Sequence, residues 1–128
     1  MKAYLIDTEA KEARVVEIDD SNHLTEYYKY LNCYLIDITS RKVGGRYFDI
    51  IVDDEGLFAD KPIVSAVDSS GEPALVGNLL FCNHDGQGGE TSLTDQDIAL
   101  LQEFTTLVEV VDKKGNRDTA IVVRNVDY

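Results

Sequence analysis

Three times along this 128-residue chain, two short runs of β-branched and aromatic residues face each other across a turn signal. KAYLID (residues 2–7) and RVVEID (14–19) flank TEAKEA. CYLIDIT (33–39) and RYFDIIVD (46–53) flank SRKVGG. LVEVVD (107–112) and TAIVVRN (119–125) flank KKGNR. Val, Ile, Tyr and Phe suit a pleated, half-buried surface, and runs this short around polar bends predict hairpins. Hairpin partners are antiparallel by construction, so the sheet they build is largely antiparallel.

Two segments break this rhythm with helical spacing. In DDSNHLTEYYKYLN the capping residues Asp20, Ser21 and Asn22 precede Leu24, Tyr27, Tyr28 and Leu31. This predicts an amphipathic helix over about residues 22–32, with Glu26 and Lys29 toward water. Thr94 with Asp97 three residues on resembles a capping box, the acid standing in for the usual glutamate, and Asp95 and Asp97 suit the positive end of the helix dipole. The inward stripe of that second helix is Ile98, Leu101 and Phe104, with Leu100 beside it. LVGNLLFCN (75–83) is a continuous apolar run, which predicts one strand buried on both faces, with Gly77 marking a bulge or a close backbone approach. Asp54-Glu55-Gly56 reads as a turn. Between residues 57 and 74, KPIVSAV fits either a short helix or a strand, and SSGEP reads as a loop. The order is ββαββ, a mixed stretch, then βαββ. It predicts one α+β domain over residues 1–128, large enough to bury roughly two-thirds of its unfolded surface.

Charge is distributed unevenly. Between Asp53 and Asp112 lie thirteen acids and a single base, Lys61, so this stretch carries the whole net charge of −12; the other residues balance eleven acids against eleven bases. Such a field repels nucleic-acid backbones and anionic lipid and attracts basic protein surfaces, although plain solubility explains many acidic chains. The start MKAYLIDTEA turns acidic at Asp7, and no apolar run approaches the ~18 residues of a membrane span. The expectation is a soluble, cytoplasmic protein without direct nucleic-acid or membrane binding. One disulfide between Cys33 and Cys82 is geometrically possible, but nothing implies an oxidising compartment, and the two read as reduced, buried thiols.

The one stretch with chemistry on its surface is FCNHDGQGGETSLTDQDI (81–98). Alternation along a strand puts Cys82 and His84 on one face, the minimum for a Cys/His nucleophile or for two metal ligands. Against a nucleophile stand the apolar neighbours Leu79, Leu80 and Phe81, and the acids Asp85 and Glu90, which disfavour a thiolate; no third group is evident to orient the imidazole. Against a metal stands the isolation of the remaining His23 and Cys33. DGQGGE has the glycines of a phosphate cradle but an acid at each end and neither phosphate-loop pattern. DDEG (53–56) lacks the spaced ladder of a calcium loop. Tyr27, Tyr28 and Tyr30 have no basic patch around them, which argues against stacking on bases. No catalytic residue, cofactor or metal is assigned; Cys82 and His84 are kept as candidate ligand or reactive residues.

YYKYLNCYLIDITS, FDIIVDDEGLFADKPIV and LVGNLLFCNHDGQGGETSLTDQDI, taken in order, resemble a family of small uncharacterised proteins, a domain of unknown function encoded largely by bacterial phages, prophages and conjugative elements. The resemblance rests on Ile18-Asp19 at the end of the strand pair, the turn Val52 to Gly56, the strand Leu75 to Leu79 and the helix start Leu93 to Asp95, and spans about residues 1–105. The SRKVGGRY hairpin element and the C-terminal hairpin depart from it. It implies a mobile-element setting and transfers no catalytic residue.

Charge and setting together lead to a non-enzymatic accessory protein that turns an acidic face, with Asp53, Asp54, Glu55, Asp85, Glu90, Asp95 and Asp97 as candidate contacts, toward a basic host or phage protein. A mimic of DNA is one form of this reading. The alternatives are a small-ligand domain using the 82–91 loop, or a Cys/His or metal-dependent enzyme.

Overall fold

A computed structural model describes residues 1–56 and 62–128. Its eleven strands and two helices run β1 (Lys2–Asp7), β2 (Glu12–Glu17), α1 (His23–Leu31), β3 (Ile36–Val43), β4 (Arg46–Asp53), β5 (Val64–Val67), β6 (Pro73–Val76), β7 (Leu79–His84), β8 (Glu90–Thr91), α2 (Asp95–Phe104), β9 (Thr105–Val111), β10 (Arg117–Val123) and β11 (Val126–Asp127). The fold is α+β, as the hairpin rhythm predicts. The strands form two sheets. One is ordered β11-β3-β4-β7-β1-β2 with β8 added to β7, and the other β6-β5-β10-β9. Among the described residues every strand pairing is antiparallel except β5 with β10.

The central strands β1 and β7 are apolar at successive positions because both faces of the larger sheet are covered. Tyr4, Ile6, Phe48, Ile50, Leu79 and Phe81 meet Ala66, Leu101, Ile121 and Val123 from the second sheet and α2. On the opposite face Ala3, Leu5, Ile51, Leu80 and Cys82 lie under Tyr27 and Leu31 of α1. Helical spacing locates the α1 stripe but not how much of its length the sheet covers: Leu24, grouped with that stripe by its spacing, is 54% exposed.

Two local expectations are corrected, and one left open is decided. CYLIDIT does not begin the strand; β3 starts at Ile36 and runs through SRKV, leaving a two-residue turn of Gly44 and Gly45. Both glycines have positive φ (59° and 87°), which suits a tight hairpin. LVGNLLFCN is not one strand. Its first part is β6 at the edge of the smaller sheet, and its second part is β7 in the middle of the larger one. The crossing occurs at Gly77, whose positive φ of 75° turns the chain. The Gly77 amide donates to the Ile63 carbonyl, and the Asn78 carboxamide accepts from the Thr8 amide and hydroxyl while donating to the Tyr30 carbonyl. Of KPIVSAV, Val64–Val67 is a strand; its first residue and the rest of 57–61 lie outside the described residues.

Candidate functional site

Cys82 and His84 leave β7 on the same face, as alternation requires, and the register β4–β7 sets Asp49 opposite Cys82. His84 Nδ1 lies 3.4 Å from Asp49 Oδ1. The orienting carboxylate that the sequence did not reveal is therefore present, supplied by the neighbouring strand. The thiol, however, is fully buried, and its Sγ donates to the Asp49 carbonyl at 3.7 Å. Burial, then the charges of Glu90 and Asp49, push its pKa far above the ordinary thiol range. A nucleophile needs a thiolate that substrate can reach, and Cys82 has neither property. The hydroxyl of Tyr27 donates to Glu90 Oε1 at 3.1 Å. Burial and the Glu90 charge raise the Tyr27 pKa as well, so the group facing the thiol is held neutral. Cys33 is half-buried, its pKa raised by burial and then by Asp53.

The glycine loop is folded onto its own carboxylate. Asp85 accepts from the Gln87 and Gly89 amides, and its own amide donates to the Gly89 carbonyl. Those two amides, which a phosphate would need, are spent on Asp85, whose pKa they hold below the ordinary range. Among the described residues no group of three or more His, Cys, Asp or Glu is placed to hold a metal ion.

The seven candidate acids do not share one place. Val52 pairs with Leu79 and Asp49 with Cys82, so Asp53, Asp54 and Glu55 follow one end of the β4–β7 pair. Asp85 follows the other end, and Glu90, paired with His84, lies beside it. The length of β7 between them is roughly 17 Å at ~3.3 Å per residue. Asp95 is exposed at the start of α2. Asp97 departs from the expected surface role: it is fully buried. Its Oδ2 accepts from the Thr94 amide (2.7 Å) and from Asn83 Nδ2 (2.6 Å), its own amide donates to Thr94 Oγ1, and Oδ1 meets Arg46 Nη2 at 2.8 Å. The expected capping box is thus formed, and the carboxylate that completes it binds α2 to β7 and to the start of β4.

At the first acidic end a cleft of about 370 Å³ opens between the β3–β4 pair and the edge strand β6. Asp37, Asp53 and Asp54 line it together with the apolar Val52, Pro73, Ala74, Leu75 and Val76. No Lys, Arg or His among the described residues lies within ion-pair distance of these three carboxylates. Asp37 was not among the expected contacts, because only the β3–β4 register sets it opposite Val52, one residue from Asp53. A larger groove of about 840 Å³ lies on the outer face of the smaller sheet, away from the 82–91 loop. Among the described residues no helix is long and apolar enough to cross a membrane.

Comparison with curated proteins and with solved structures finds no match in either. The family comparison matches residues 1–109, which take in both helices, the whole larger sheet except β11, and the cleft. The chain belongs to this family, a domain of unknown function (DUF3846).

Proposed function

We propose that the protein is a non-enzymatic interaction module that takes a basic segment of a protein partner into the acid-rimmed cleft between β3–β4 and β6. The observation that carries this reading is one cleft lined by three acids, Asp37, Asp53 and Asp54, and by apolar residues. Lysine and arginine side chains have the matching form, an aliphatic stem under a cationic head. The rest of the −12 charge supplies long-range attraction and speeds encounter. The mobile-element setting implied by the resemblance supplies partners of the right chemistry, since nucleic-acid enzymes carry basic clefts. Against the enzymatic alternative stands the buried, protonated Cys82.

Binding of a Lys/Arg-rich peptide, followed by fluorescence anisotropy over a salt series, tests this reading. The affinity should fall steeply with salt. The pair Asp53→Asn and Asp54→Asn should weaken it about tenfold or more, as a loss of one or two charge contacts implies. Removing two charges elsewhere, with Asp95→Asn and Glu103→Gln, should change it far less. Equal losses from the two pairs would reduce the cleft to a general field effect and refute the site. Competition between this protein and duplex DNA for one basic enzyme separates DNA mimicry from simple peptide capture.

A further inference from the structure

β9 is an edge strand that breaks the usual precautions for an edge. It pairs with β10 along its whole length and with no other strand among the described residues. Soluble proteins blunt such edges with charge, proline or brevity. Here the edge is Thr105–Val111, seven residues with one charge. Leu107 and Val111 are each 59% exposed on one face, and Val110 is 45% exposed on the other. Behind Val108 and Val110 lies the groove of about 840 Å³, floored by Val64, Val67, Ala120 and Val122.

We propose that β9 is a dimerisation edge, pairing antiparallel with β9 of a second copy about a two-fold axis at Glu109. Two features select a second copy over an unrelated chain. The first is pattern. LVEVV (107–111) reads apolar, apolar, Glu, apolar, apolar in both directions. An antiparallel pairing centred on Glu109 sets Leu107 against Val111 and Val108 against Val110 of the other copy, each pair on a common face. Centring on Val108 would instead put Leu107 against Glu109. The second is charge. Each copy carries −12, which opposes self-association over most of the surface. The hairpin from Thr105 to Val123 is neutral, with Glu109, Asp112 and Asp118 balanced by Lys113, Lys114 and Arg117. Glu109 already meets Arg117 at 3.1 Å, so the two glutamates at the axis come together with two arginines and sum to zero. A two-fold contact uses one edge from each copy and closes, giving a dimer rather than a fibre.

Sedimentation equilibrium over a wide range of concentrations should show a monomer–dimer equilibrium. The double variant Leu107→Lys, Val111→Lys should be monomeric throughout with an unchanged far-UV circular dichroism spectrum, since both side chains are exposed in the single chain. In a Cys33→Ser background, Glu109→Cys should form an intermolecular disulfide on mild oxidation, because directly opposed strand residues have Cα separations within disulfide range. The cross-link decides the matter if the lysine variant fails to fold. A wild-type chain that stays monomeric, a dimer that survives both lysines, assembly beyond the dimer, or a Glu109→Cys variant that does not cross-link would each overturn the proposal.

Discussion

Asp97 holds together three elements through one carboxylate, and its energetics follow from its surroundings. Burial acts first, raising its pKa; the Thr94 amide, Asn83, the Thr94 side chain and Arg46 outweigh burial and leave the pKa below the ordinary carboxylate value. A folded pKa lower than the unfolded one means that the ionised group stabilises the fold above about pH 4, and that this contribution is lost as pH falls through the folded value. We expect Asp97→Ala to cost about 2–3 kcal/mol, combining a lost cap with an unpaired Asn83 and Arg46. Arg46→Ala should cost less, because Arg46 is exposed over nearly half its surface. Urea unfolding of Asp97→Ala and Arg46→Ala at pH 7 would check the two costs, and in the same assay the gap between the wild type and Asp97→Asn should narrow from pH 7 toward pH 3. The helix start and the Thr94–Asp97 pair were legible in the sequence from their spacing. That Asp97 is buried, and that Arg46 and Asn83 complete it, was not, because those partners come from strands 51 and 14 residues away in the chain.

At the scale of elements, the β3–β4 hairpin shows how a turn is fixed from outside. Gly44 has φ +59°, and a Cβ there would meet Phe104 Cε2 of α2 at 2.6 Å. Gly45 has φ +87° and open space around it. Alanine at position 45 should cost about 1–2 kcal/mol from the left-handed backbone alone. Gly44→Ala should cost a further ~1 kcal/mol or more, since the Phe104 ring must move within a packed layer. Thermal unfolding of the two single variants measures the difference, and equal melting temperatures would mean that α2 does not constrain the turn. β4 was readable to the residue because alternation and composition agree there. The split of residues 75–83 was not, since an apolar run looks the same whether it forms one strand or two. The signal was Gly77 followed by Asn78, whose role depends on partners at Thr8 and Tyr30.

For the whole molecule, the family match ends inside β9, yet the sheets do not. β10 lies between β5 and β9, and β11 forms the β3 edge of the larger sheet. Ile121, Val123 and Val126, all buried, belong to the core shared by the two sheets. A chain cut after residue 109 therefore leaves β5 and the remainder of β9 without their common neighbour and opens an apolar layer to water. We expect residues 1–109 alone to lack the native state, with poor amide dispersion in a nitrogen–proton correlation spectrum and dye-binding apolar surface. Native-like dispersion from that fragment would show that the C-terminal strands are dispensable.

The sequence alone determined what local chemistry can determine: which segments extend, which coil, where α2 is capped, and that nearly all strand pairing is antiparallel. Period-2 alternation, capping residues and turn residues act over a few positions, so a linear reading captures them. Which carboxylates gather, which is buried, and what stands beside His84 were decided by strand register and by the crossing between sheets. These juxtapose residues far apart in the chain: Asp37 opposite Val52, Asp49 opposite Cys82, Arg46 on Asp97. The sequence counts the acids of the 53–112 stretch, but only the tertiary structure sets Asp53, Asp54 and Glu55 at one end of β7, Asp85 and Glu90 at the other, and buries Asp97.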